Sequence, residues 1–153
     1  MIREVIHRSG EQGQSLSEMA ISLTFILVLL AGVVDIGRAF FTYISLRDAA
    51  QEGALYASYQ PNDCNGIIYR VKDTSNKPFD LSSASVSIEV LKGSAWTQCS
   101  VATPVAGDPI RVTASKNDFQ ISMPFLGTLI GKQTVSISAS IKDTILSVPT
   151  PAP

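Results

Sequence analysis

The chain has 153 residues, with 12 basic against 13 acidic side chains and a hydrophobic fraction of 45%. That length accommodates one modest domain once a leader and a membrane segment are set aside, and leaves no room for a second. Neither charge sign clusters, so the basic stripe that nucleic-acid binding requires is missing and no nucleic-acid partner is expected.

A polar start containing Arg3, His7 and Arg8 precedes an uncharged apolar run at residues 19–34. As a helix those residues rise about 24 Å, short of the roughly 30 Å hydrocarbon thickness, so Ile36, Ala39, Phe40 and Phe41 beyond Asp35 are needed to complete a span. Basic residues before the run put the N-terminus in the cytoplasm and the bulk of the chain outside, with Phe40, Phe41 and Tyr43 at the far interface. A secretory signal peptide is the competing reading of a charged start followed by an apolar core. Against it stand the long polar first 18 residues and the weakness of Leu30-Ala31-Gly32 as a cleavage site.

Helical spacing continues past the apolar run, because no proline occurs before Pro61 and Ile36, Phe40, Tyr43, Leu46, Ala50, Ala54 and Ala57 recur on one face. One helix from about residue 14 to residue 58, near 68 Å long, is the simplest reading. Arg38, Arg47, Asp48, Gln51 and Glu52 occupy the opposite face. The small residues Ala49, Ala50, Gly53, Ala54 and Ala57 leave space for a sheet to approach. Gln60-Pro61-Asn62-Asp63 stops the helix. Residues 67–71 fit a short helix or a strand, with helix preferred.

The period then falls to two. Val86, Ile88 and Val90 alternate with polar residues, as do Ile110, Val112 and Ala114, and Val135, Ile137, Ala139 and Ile141. Residues 119–123 form a shorter fourth candidate strand ended by Pro124. Turns are expected at residues 92–94, 106–109, 116–118 and between 126 and 132. Trp96, in the loop after Gly93, is a partner contact or a plug beneath the loop, the plug being preferred. The sheet must bury its apolar face on the only long stripe outside the membrane. The expected class is therefore α+β, a long N-terminal helix, half membrane-spanning and half amphipathic, packed on a small antiparallel sheet.

Several positions carry chemistry. Glu18 enters the apolar segment at a cost of about 2.5 to 3.5 kcal/mol at a bilayer centre, less at its edge, unless it is paired. Ser15-Leu16-Ser17-Glu18 also fits a capping box, which needs no partner subunit. Asp35 and Arg38 are spaced for an ion pair one turn apart or stand as two solvated interfacial charges. Cys64 and Cys99 lie on the oxidising side and would close a loop of about 35 residues, stabilising by nearly 4 kcal/mol at most, with two free thiols as the alternative. Catalysis is poorly supported: His7 is the sole histidine, the serines lack a neighbouring base, and neither a metal nor a cofactor site is expected.

The order basic leader, Gly13-Gln14-Ser15, Glu18, apolar helix resembles the processing region of type IV-like prepilins. Together with Asp35-Ile36-Gly37-Arg38-Ala39, residues 47–54, and Gly107-Asp108-Pro109-Ile110-Arg111-Val112 followed by Pro124-Phe125-Leu126, it looks like the TadE-like pseudopilin family. Family members often carry an aromatic residue after the glutamate, where this chain has Met19. The resemblance implies a minor subunit of a tight-adherence pilus, cut by a prepilin peptidase between Gly13 and Gln14 and taking part in pilus assembly and surface adhesion. It implies as partners other pilin and pseudopilin subunits, the inner-membrane assembly platform and membrane lipid. On cleavage the new amine of Gln14 would become a cation able to pair with Glu18 across subunits. The division expected is leader 1–13, helix 14–59, extracytoplasmic head 60–146 and proline-rich tail 147–153, the tail extended or disordered. An uncleaved, single-span anchored binding module is the alternative.

Overall fold

The computed structural model describes residues 11–74, 82–123, 127 and 131–149. Arg3, His7, Arg8, the Pro124-Phe125-Leu126 motif, part of the turn expected between 126 and 132, and the last four tail positions lie outside the described residues.

Helix α1 runs unbroken over Glu11–Tyr59, and helix α2 over Cys64–Thr74. Four strands follow, β1 (Ser85–Lys92), β2 (Ala95–Gln98), β3 (Pro109–Gln120) and β4 (Thr134–Thr144). They form one antiparallel sheet in the order β2-β1-β3-β4. The second half of α1 lies across β3 and β4, with α2 against α1 as well. The fold is thus α+β, a long N-terminal helix on a small four-stranded antiparallel sheet. The ambiguous stretch 67–71 is helical: Asp63 caps α2 by accepting the Gly66 N–H at 2.9 Å, and Ile67 and Val71 are buried at helical spacing. The Tyr56 hydroxyl donates to the same carboxylate at 2.9 Å, a bond that pushes its phenol pKa up.

The core forms where small helix residues meet the inner sheet face. Leu46, Ala49, Ala50, Ala54 and Ala57 are buried with Ile88, Val90, Ile110, Val112 and Ala114. This corrects the expected stripe at its lower end, since Ile36, Phe40 and Tyr43 are exposed while Asp35 and Thr42 are turned inward; the small residues Ala49 and Gly53 are buried where a sheet was expected to approach. At that lower end the inward face is rotated by about one residue, near 100°, while Leu46, Ala50, Ala54 and Ala57 of the expected stripe are buried. Close packing selects for small side chains, and Asp35 is drawn in by hydrogen bonds that a hydrophobic count does not register.

Gly53 is the closest approach. A Cβ there would collide with Val71 Cγ2 and stand 3.3 Å from Val112 Cγ1, wedged between α2 and β3. Gly53→Ala is expected to be net destabilising: overpacking costs about 1–3 kcal/mol, against at most about 1 kcal/mol recovered from helix propensity. A lowered melting temperature would show it; an unchanged or raised one would contradict the packing.

One turn and the placement of Trp96 also change. No turn forms at 116–118; β3 continues through them with a register shift between Lys116 and Phe119. The pairing Lys116↔Ile137 and Phe119↔Val135 advances three residues on β3 for two on β4, so β3 holds one extra residue. That residue inverts the alternation and keeps Phe119 buried on the helix side; of the expected fourth strand at 119–123 only residues 119 and 120 are strand, as the end of β3. Trp96 lies on β2, not in a loop, because Gly93 (φ 62°) and Ser94 make a two-residue hairpin pairing Lys92 with Ala95. Half-buried on the outer face, it has the Arg111 guanidinium 4.1 Å and Lys142 Nζ 5.5 Å from its ring centroid. Arg111 is itself held by two bonds to Glu89 Oε2, at 2.9 and 2.6 Å.

The upper end of the head is closed by polar ties. Gly107 (φ 94°) turns the chain so that Asp108 binds Lys92 and the Val105 N–H, which hold its carboxyl below the usual carboxylate range. The junction of head and tail is pinned: the N–H groups of Leu146 and Ser147 donate to Ser58 O at 2.8 and 3.3 Å, satisfying a carbonyl at the helix end, and Val148 packs on the core.

Candidate functional site

Of the residues singled out from sequence, Gly13, Gln14, Glu18, Asp35 and Arg38 fall on one rod, α1. Gly13, Gln14 and Glu18 lie exposed near the start of α1, where Ser17 Oγ donates to Gln14 O at 2.8 Å. Ser15 is already inside the helix, which begins at or before Glu11, so it is not at an N-cap and the expected capping box is not formed in the uncut chain. Leu16, Met19, Ile21, Phe25, Leu29, Leu30, Val33 and Val34 are all more than half exposed, an apolar surface that only a nonpolar surrounding would cover. It is the one helix among the described residues long and apolar enough to cross a membrane.

Asp35 ends the apolar run, yet it is only 8% exposed. Its Oδ2 accepts the backbone N–H groups of Ser122 and Met123 at 2.8 and 2.6 Å, and its Oδ1 accepts Arg38 Nη1 at 3.2 Å. Arg38 Nη1 also donates to Ser122 Oγ at 2.7 Å, and the guanidinium lies 5.3 Å from the Phe119 ring centroid. One carboxylate therefore latches the lower end of β3 to the helix. Sequence reasoning found Asp35 and Arg38 but not Ser122 or Met123, because backbone donors leave no compositional trace. The one available signal was an acid at the border of an apolar run, which demands a partner.

Beside the latch is a groove of about 260 Å³ lined by Gly32, Ile36 and Ala39 of the helix and by Phe119, Ile121, Met123, Val135 and Ile137 of the sheet, with Asp35 at its edge. Cys64 and Cys99 form a disulfide, with Cα atoms 6.0 Å apart, joining the start of α2 to the end of the β1–β2 hairpin. Among the described residues no group of three or more His, Cys, Asp or Glu is placed to hold a metal ion.

A membrane-length helix whose exposed apolar half precedes a helix-on-sheet head defines a class: a small α+β domain carried on one long apolar helix, an arrangement compatible with a single-pass membrane anchor. Within it, residues 13–55 match the family model described as TadE-like protein, a stretch that holds Gly13 to Glu18, the apolar run and most of the packed half of α1. That family consists of pilus-associated, pilin-like structural proteins. No curated protein and no solved structure matches the chain significantly.

Proposed function

We propose that the chain is a minor pilin-like subunit of a tight-adherence pilus, processed between Gly13 and Gln14 and held in the inner membrane by α1 with its head outside. The observation that carries this reading is the coincidence of the TadE-like match over residues 13–55 with a helix whose apolar half is left uncovered. Such a surface is solvated by lipid before assembly and by sister helices, the assembly platform or other pilins during it. Arg3, His7 and Arg8 ahead of the run set the orientation.

Processing has a structural requirement. The bond between Gly13 and Gln14 lies within the helix in the uncut chain, so the first turns must open for a peptidase to reach it. Gly13 favours this, since glycine weakens a helix by about 1 kcal/mol relative to alanine. Once cut, the amine of Gln14 and the carboxylate of Glu18 stand about 6 Å apart along the axis, so the Glu18 of one subunit can meet the amine of the next and fix axial register. Pilus adhesion follows as the role of the assembled fibre.

N-terminal sequencing of the membrane-extracted protein is expected to begin at Gln14. An intact Met1 or Ile2 terminus in cells with active peptidase would overturn the proposal and favour an uncleaved anchored module. Glu18→Gln, which keeps hydrogen bonding but removes the charge, is expected to be processed yet recovered poorly in sheared fibres. Normal recovery would refute the pairing role.

A further inference from the structure

The sheet order β2-β1-β3-β4 leaves one side of β4 without a neighbouring strand among the described residues. The ladder decides which backbone groups face that side. Ile121 N donates to Gln133 O and Ile145 N to Asp108 O, and antiparallel bonds recur at every second residue, so residues 135, 137, 139, 141 and 143 bond to β3. Residues 134, 136, 138, 140 and 142 aim their N–H and C=O groups outward, and each of them is exposed.

Open edges are normally blunted by proline, a bulge or a charge, because they template pairing with another chain. Residues 134–141 contain no proline and no Asp, Glu, Lys or Arg. The extra residue of the register shift is on β3, so the alternation along β4 is unbroken. Lys142 does not guard the edge either: its Nζ reaches back over the sheet to 5.5 Å from the Trp96 ring centroid. The edge has definite ends, since Thr144 N–H is taken by Asp143 Oδ1 at 2.7 Å above and Lys132 stands exposed below. On the inner side Val135 and Ile137 line the groove of about 260 Å³ with Ile36, and Val135 remains 42% exposed. Backbone groups along an edge, with apolar space beneath alternate residues, are the two elements of strand addition.

Direction decides the occupant. Asp35 of α1 meets Ser122, level with the start of β4, and Ser58 meets Leu146, just past its end, so helix and strand run the same way. Two copies joined antiparallel through β4 would be related by a twofold axis normal to the sheet, and their apolar halves would point in opposite directions, away from any shared bilayer. A copy shifted sideways would present β2 antiparallel, but β2 has 4 residues and stands level with Lys142 and above, beyond the uncharged stretch. A different chain is left.

We infer that the β4 edge is a strand-addition site for a different pilus subunit, which lays an extended, proline-free segment antiparallel along residues 134–142, with polar side chains on the outer face and apolar ones over the groove. Naming the partner a pilus subunit rests on the proposed function; the open edge does not.

The probe is a synthetic peptide of alternating Val and Thr, long enough to cover residues 134–141, with Glu at its C-terminal end to meet Lys132. The full chain, disulfide intact, is held in detergent micelles and its amide exchange followed by NMR. Without peptide the N–H groups of 136, 138 and 140 are expected to exchange fast and those of 137, 139 and 141 slowly. Saturating peptide is expected to slow the even set by about tenfold or more. The Thr residues of the paired peptide share the outer face with the even positions and turn their own N–H groups to β4, so N-methylation at Thr is expected to abolish the effect and N-methylation at Val to spare it. An even set already slow in the peptide-free monomer, no slowing with peptide, or equal effects of the two methylations would overturn the inference, the last being what apolar filling of the groove alone gives. A peptide-free dimer with the even set protected would place a second copy on the edge and overturn the choice of partner. A failed peptide test with Gln14 as the mature terminus sinks the inference alone, whereas an intact Met1 terminus sinks the pilin reading and the naming of the partner with it.

Discussion

Asp35→Ala is expected to cost about 3 kcal/mol of head stability, because two backbone N–H groups lose their acceptor at a site only 8% exposed. Arg38 adds little to that figure, its side chain being 44% exposed and its lost pairing largely screened. Asp35→Asn keeps a carbonyl oxygen for the same donors and is expected to lose about 1 kcal/mol, the difference between charged and neutral acceptors. Denaturant titration in detergent micelles, followed by tryptophan emission from Trp96, measures both. If Asp35→Ala were no worse than Ile36→Ala at the exposed neighbouring position, the latch would have no energetic role.

Opening the Cys64–Cys99 bridge is the second large perturbation. It closes 35 residues containing α2 and the β1–β2 hairpin, so the chain-entropy limit of its contribution is about 4 kcal/mol. Cys64→Ala with Cys99→Ala is expected to approach that loss, with α2 the first element to show hydrogen exchange, since α2 has few contacts with the sheet and is held at its start by the disulfide. Mass spectrometry after alkylation without reductant should find neither thiol modified. Two alkylated cysteines in the native protein would overturn the prediction.

The lower half of the head shows where sequence patterns were misleading. Ile110, Val112 and Ala114 occupy even positions and Phe119 and Ile121 odd ones, which reads as two strands with a turn between. A single-residue bulge brings Phe119 onto the same strand as Ile110, Val112 and Ala114, with Ile121 just past its end, and bulges have no signature stronger than such a change of parity. Residues 95–98 show no apolar alternation, so the sequence reads them as loop; their pairing to β1 makes them a strand. Trp96 was noticed as a residue needing a role, but its setting over Arg111 depends on three strands coming into register.

By itself the sequence determined the long α1, its apolar and amphipathic halves, the α+β class and the TadE-like character of residues 13–55. Each of these rests on periodicity, charge placement or local motif, quantities that a linear chain carries whole. Only the tertiary structure decided which residues of the lower half of α1 turn inward, that Asp35 binds Ser122 and Met123, and that Met123, just past β3, reaches Gly32. Those outcomes depend on backbone donors 87 and 88 residues away and on side-chain volumes meeting across elements, and neither is encoded in the spacing of any one segment.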